Sequence, residues 1–175
     1  MDDRDAAIQA LLDKDAIRDV ILRYARGIDR HDAGLMASAY HPDATDDHGA
    51  YVGDAAGFIA YANEVHSADF VAHQHHMTNC LIDLDGDRAR GETYYLAVLR
   101  TNGGGLMAVG GRYLDQFERR DGGWAISDRT TLVDWNGELT GAPATHVAQF
   151  LAGGWGETDP SYLRATGPLR AALAG

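Results

Sequence analysis

Positive charge is scarce in this sequence: 15 lysines and arginines stand against 26 aspartates and glutamates, a formal net charge of −11. Gripping nucleic-acid phosphates needs clustered Lys and Arg, so nucleic acid is excluded as a partner. The same deficit argues against docking on anionic membrane surfaces. Cysteine is nearly absent. The single Cys80 cannot close a disulfide within the chain or build a zinc motif, and reads as a small packing residue. No apolar run approaches the ~20 residues of a membrane span. The opening MDDRDAAIQA is acidic and unlike a secretion signal, so the expected location is cytoplasmic.

What is present describes an ordinary globular domain. At 175 residues with 45% hydrophobic side chains, the chain is long enough to bury a core without staples. Ile17, Val20, Ile21, Tyr24 and Ile28 recur with helical spacing, and Arg23, Arg26 and Arg30 fall on the opposite face. A short helix over about residues 4–12, then a second one capped by Asp15, is the expected opening. Asp32 is placed to cap a third, Ala33 to Tyr40. HPDATDDHGAYVG reads as a short strand and turn, and GDAAGFIAYANEVHSAD returns to helical spacing. Beyond Phe70 four strand-like runs are joined by DGD, NGGG and DGG, which are hairpin turns. Helices first and an antiparallel meander after is an α+β arrangement. A tail with a short helix near Tyr162–Leu173 follows.

Alternation on the strand FVAHQHHMTN places His73, His75, Met77 and Asn79 on one face and His76 on the other. Two imidazoles at that spacing serve as a structural or solvated pair, or chelate a metal with Asp46 or His48 completing the set. Asp29 sits on the shoulder of the apolar stripe, either reaching solvent or half-buried under the sheet. Tyr24 lies on the stripe itself, five residues earlier. That is about 500° of helix, so the two side chains diverge by about 140°. Arg129 shares a strand face with Ser127, Thr131 and Val133, and needs an anionic partner if buried.

The runs DKDAIRDVILRYARGIDRHD, HHMTN with LIDLDGDRARGE, and GGRYLDQFERRDGGWAISDR together resemble the scytalone dehydratase-like and SnoaL-like branch of the nuclear transport factor 2-like superfamily. That branch includes bile acid 7α-dehydratase and hexachlorocyclohexane dehydrochlorinase. The likeness covers about residues 5–135. It implies a cone-shaped α+β barrel, a curved antiparallel sheet wrapped around N-terminal helices, over residues 1–140. Residues 141–175 would then be a tail of the same domain or part of an oligomer interface.

The resemblance also implies a site. The branch pairs an Asp near the end of the long helix with a His on the first long strand, which selects Asp29 and His75. A Tyr before the Asp and an Arg after the last-strand tryptophan match Tyr24 and Arg129. Substrate contacts would come from His73, Asp46, His48 and Asn79, and from Phe58, Tyr95, Met107, Val109 and Tyr113. The position where the dehydrochlorinase has a Trp falls near Asp46, with Asp47 and His48 beside it, and YYLAVLR lacks the second His of scytalone dehydratase. The implied activity is a lyase: cofactor-free, metal-free dehydration of a small hydrophobic or cyclic hydroxylated substrate. His75 would abstract the proton and Asp29 would orient it. Isomerisation or polyketide-type cyclisation starts from the same abstraction. A non-catalytic small-ligand-binding or partner subunit is the alternative from another class. A homo-oligomer, a trimer by the habit of the branch, is expected.

Overall fold

The computed structural model describes residues 2–140 and 151–162. Neither proline nor glycine interrupts the chain between Asp3 and Arg26, and one helix, α1 (Asp3–Arg30), replaces the two expected. Asp2 caps it by accepting from the Asp5 N–H at 2.8 Å, while Asp15 lies mid-helix. The stripe from Ile17 to Ile28 is buried as its spacing implies. α2 (Ala33–Ala37) is shorter than expected and is capped by Asp32, which accepts from the Leu35 N–H at 2.8 Å. A Cβ on Gly27 would lie 2.7 Å from Met36, so the absence of one lets α2 fold tightly back on α1.

β1 (Tyr40–Asp47) and β2 (Val52–Asp54) follow, then α3 (Ala55–Asp69). The meander is β3 (Phe70–Asp85), β4 (Arg88–Thr101), β5 (Leu106–Arg120) and β6 (Gly123–Leu139). Its turns place Gly86, Gly104 and Gly122 at positive φ, where glycine carries no steric penalty. The sheet order is β2-β1-β6-β5-β4-β3. The α+β cone is therefore present, with one correction. The sheet is mixed and open, not purely antiparallel and closed, because β1 enters beside β6 in the parallel sense.

The inner face of the sheet closes on α1 and α3 through Phe58, Tyr113, Phe117 and Ile126. At one end the buried Asp13 of α1 accepts from Trp124 Nε1 at 3.0 Å and from Arg119 at 2.7 Å, tying helix to sheet. Residues 151–162 form two 3-10 turns, Gly156–Thr158 and Pro160–Tyr162, lying against the end of α1. Tyr162 donates to Asp32 at 2.6 Å, and Arg30 pairs with Asp159 at 3.3 Å. The tail helix expected after Tyr162 lies outside the described residues. No helix among the described residues is long and apolar enough to cross a membrane.

Candidate active site

The last turn of α1 carries Asp29 toward β3. Its carboxylate accepts the backbone N–H of His75 at 3.0 Å on both oxygens, and His75 Nδ1 at 2.7 Å on Oδ1. Three hydrogen bonds to one carboxylate fix it, and it in turn fixes the imidazole with Nδ1 protonated. His75 Nε2 makes no hydrogen bond among the described residues, and His75 lines a cavity inside the cone. His76 is exposed on the opposite face.

A second carboxylate–imidazole pair comes from β1. Asp46 lies on β1 and His48 just past its end, and the two side chains bond each other beside the cavity. Asp46 is 1% exposed; it accepts from Tyr40 Oη at 2.6 Å and is hydrogen-bonded to His48 Nδ1. His48 Nε2 lies 3.1 Å from the Thr131 hydroxyl, and its ring stacks on Phe58 at 4.0 Å. Burial lowers the His48 pKa despite the raising effect of Asp46, keeping the ring neutral near neutral pH.

Arg129 forms a third layer. It is fully buried and holds Asp115 through two bonds, Nε–Oδ1 at 2.7 Å and NH2–Oδ2 at 2.8 Å. Its guanidinium lies 4.1 Å from the ring centres of both Tyr24 and Tyr113. Burial works against its charge, but Asp115 and the surrounding tyrosines outweigh that and hold it protonated. Burial raises the pKa of Tyr24, Tyr40 and Tyr113, so all three keep their protons.

The cavity measures about 200 Å³. Of the residues expected to contact substrate, His48, Phe58, Tyr95, Val109 and Tyr113 line it together with His75, and Thr131 is an addition. The others fall elsewhere. Asn79 is exposed, because a bulge between Met77 and Cys80 inserts a residue and reverses the alternation, turning Cys80 inward instead. Met107 lies at the start of β5 and lines a separate hollow with Asn136 and Glu138. Asp46 stands behind His48. Tyr24 and Arg129 lie beneath the cavity floor, with Tyr24 Oη 3.5 Å from His48 Nε2. Their expected place beside the Asp29–His75 pair is thus corrected: Tyr24 diverges from Asp29 around the helix, and Asp115 claims Arg129.

His73 is buried behind His75, with Nδ1 3.4 Å from Asp29 Oδ1 and Nε2 3.0 Å from His31 Nε2. Burial, then the neighbouring imidazoles, push His73 down to about 4 and His66 to about 3. The facial metal set of His73 and His75 with Asp46 or His48 does not form, since Asp46 and His48 bond each other. His31 and His66 escaped the sequence reading, since nothing in their spacing links them to His73.

A curved sheet around N-terminal helices, enclosing a hollow, is the α+β fold of the cystatin-like or nuclear transport factor 2-like kind. Within it the chain belongs to the SnoaL-like domain family, whose model matches residues 9–130. Solved structures agree in fold. A hexachlorocyclohexane dehydrochlorinase (LinA) of type 2 shares 24% identity, covering 79% of this chain and 99% of its own, with a TM-score of 0.72. The type 3 enzyme from Novosphingobium barchaimii LL02 shares 23%, covering 78% and 96%, at 0.71. A scytalone dehydratase-like protein from Novosphingobium aromaticivorans DSM 12444 shares 18%, covering 79% and 95%, at 0.69. No curated protein matches the chain in sequence.

Proposed function

We propose that the chain is a lyase-type acid–base enzyme that eliminates water, or a similar leaving group, from a small cyclic substrate. The observation that carries this reading is the Asp29–His75 pair, with Nδ1 bonded to the carboxylate and Nε2 left to the cavity. Nε2 takes a proton from a carbon beside an electron-withdrawing group. The C–H electrons form the new double bond, the C–O bond breaks, and the departing hydroxide takes the proton back from the His75 imidazolium, leaving as water and restoring the base. Asp29 stabilises the imidazolium that forms, and no cofactor is required for the step. The dehydratase and dehydrochlorinase names of the fold neighbours agree with this class of reaction.

Cavity size narrows the substrate. Drug-sized ligand pockets run from roughly 300 to 1,000 Å³, whereas this one offers about 200 Å³. Ile28, Ala62, Leu99 and Val109 supply apolar walls. A neutral single-ring substrate fits that description better than a polycyclic one. Thr131 and His48 face the hollow and serve to hold the substrate's oxygen. Tyr24 and Arg129 act from below, by positioning His48 and Tyr113.

A second reading rests on the presence of two Asp-backed histidines around one cavity. A proton removed at His75 and returned at another carbon through His48 and Thr131 would be an isomerisation. Both readings are tested by incubating the protein with single-ring β-hydroxy ketones and unsaturated ketones in deuterated water. Elimination gives a rise in enone absorbance with loss of water; isomerisation gives deuterium in a product of unchanged composition. Unchanged turnover in His75→Ala would overturn both.

A further inference from the structure

Three histidines converge from three elements, and one of them, His66, also lines the cavity. His31 ends α1, His66 lies near the end of α3, and His73 is on β3. One ring nitrogen from each lies within 4.8 Å of the others. His31 Nε2 and His73 Nε2 stand 3.0 Å apart. Two nitrogens on a tetrahedral Zn²⁺ with bonds of ~2.05 Å are separated by about 3.3 Å, so the pair is already near the required bite.

The surroundings match a metal's outer sphere. His73 Nδ1 faces Asp29 Oδ1 at 3.4 Å, and His31 Nδ1 faces the Ser67 hydroxyl at 3.3 Å. Ligating histidines regularly use their second nitrogen in this way, which fixes the ring and the tautomer. His66 Nδ1 is buried without a hydrogen-bond partner among the described residues, a costly state that a cation would relieve. The backbone of His31 is also unusual. It occupies the left-handed region at φ 52°, a helix-end position that glycine favours, and Trp155 stacks on its ring at 3.9 Å.

We propose that His31, His66 and His73 form a binding site for one divalent transition-metal ion of the Zn²⁺, Co²⁺ or Ni²⁺ class. Three neutral imidazoles with no thiolate select this group over Ca²⁺ and Mg²⁺, which prefer oxygen. The ion sits behind the Asp29–His75 pair and shares Asp29 with it. Asp29, His73 and His75 also offer three ligand atoms within 4.8 Å. That set is disfavoured because Asp29 already accepts three hydrogen bonds from His75. The ligand set adjoins the cavity through His66 and Asp29, but nothing in it requires the proposed elimination.

The test is a titration of tag-free protein with Co²⁺ at neutral pH, followed by its visible absorption, with Zn²⁺ as competitor. One Co²⁺ per chain is expected, displaced by Zn²⁺, and Zn²⁺ should raise the melting temperature. His66→Ala and the gentler His66→Gln should each weaken binding by more than the roughly 10–100-fold that an outer-sphere loss costs, and Asp29→Asn should fall in that range. His75→Ala keeps the backbone N–H that holds Asp29 and should bind Co²⁺ at least as well as Asp29→Asn does, which separates this site from the elimination chemistry. Absence of a Co²⁺ band in the parent, parental affinity in both folded His66 variants, or loss of binding in His75→Ala would each overturn the proposal.

Discussion

The backbone N–H of His75 donates to both oxygens of Asp29 at 3.0 Å, while the ring of the same residue donates to Oδ1 at 2.7 Å. Helix end and strand are thus locked together by the groups assigned to proton transfer. Replacing one carboxylate oxygen by an amide breaks this arrangement, because the new NH2 group would face either the backbone N–H or the ring N–H. Asp29→Asn should lower turnover by roughly 10²–10⁴-fold, the range of a general base deprived of its orienting partner. Circular dichroism checks the fold and the enone assay the rate.

Arg129 has the anionic partner that burial on its strand demands, and that partner is Asp115. With Met at this position, Asp115 would be left charged and unpaired at 2% exposure. Breaking a buried pair from one side costs about 3–5 kcal/mol, so Arg129→Met should be strongly destabilised. Arg129→Met combined with Asp115→Leu should recover much of that loss. Lysine keeps the charge but not the two-pronged grip, and should fall between. Thermal melts of the three variants test the order.

Thr131→Val is nearly isosteric and removes the hydroxyl 3.1 Å from His48 Nε2. The lost hydrogen bond should cost about 1 kcal/mol of stability. If Thr131 and His48 hold the substrate's oxygen, kcat should drop about 10-fold with little change in the Asp29–His75 geometry. Under the isomerase reading, deuterium return should fall in the same proportion. Denaturant melts and the isotope assay measure the two effects.

Local signals in the chain were enough to locate α1's buried face, the cap at Asp32, and the three glycine turns of the meander. Each depends on residues a few positions apart. The parallel pairing of β1 with β6 joins Asp46 to Arg129 across a long stretch of chain, and no local pattern encodes it. Alternation located His75 correctly but failed at Asn79, since a bulge is a property of the paired strand as well as of the bulged one. Arg129 was legible as a charge that needs a partner if buried. The partner itself was not, because Asp115 sits in an ordinary polar position of β5. The convergence of His31, His66 and His73 is likewise tertiary.

The outer face of the sheet keeps an apolar row. Leu96, Gly110 and Trp135 are paired across β4, β5 and β6, with the indole lying over Gly110. Tyr94 and Trp135 are 41% and 54% exposed. Large exposed aromatics on one sheet face mark an interaction surface, and the homotrimer that the family resemblance implies would use it. Light scattering at micromolar concentration should give three chains per particle. Trp135→Lys should shift the mass toward the monomer while leaving the circular dichroism unchanged.

Asp159 makes the docked segment acid-sensitive. Burial would raise its pKa, but hydrogen bonds from the Ser161 hydroxyl, from the N–H groups of Gly154 and Ser161, and the charge of Arg30 outweigh it, leaving a value of about 2. An unfolded aspartate titrates near ~3.9. The folded form therefore binds a proton less readily than the unfolded one. Its stabilising contribution is complete above about pH 4 and disappears as pH falls toward 2. Because water screens the partly exposed Arg30 partner, this amounts to roughly 1–2 kcal/mol. Wild type should melt above Asp159→Asn at pH 5, and the gap should close at pH 2. Amide exchange at Gly154 and Ser161 should speed up over the same interval in the wild type, relative to the chemical rate, but not in the variant. A gap that persists unchanged at pH 2 would mean that the carboxylate's charge does not hold this segment on α1.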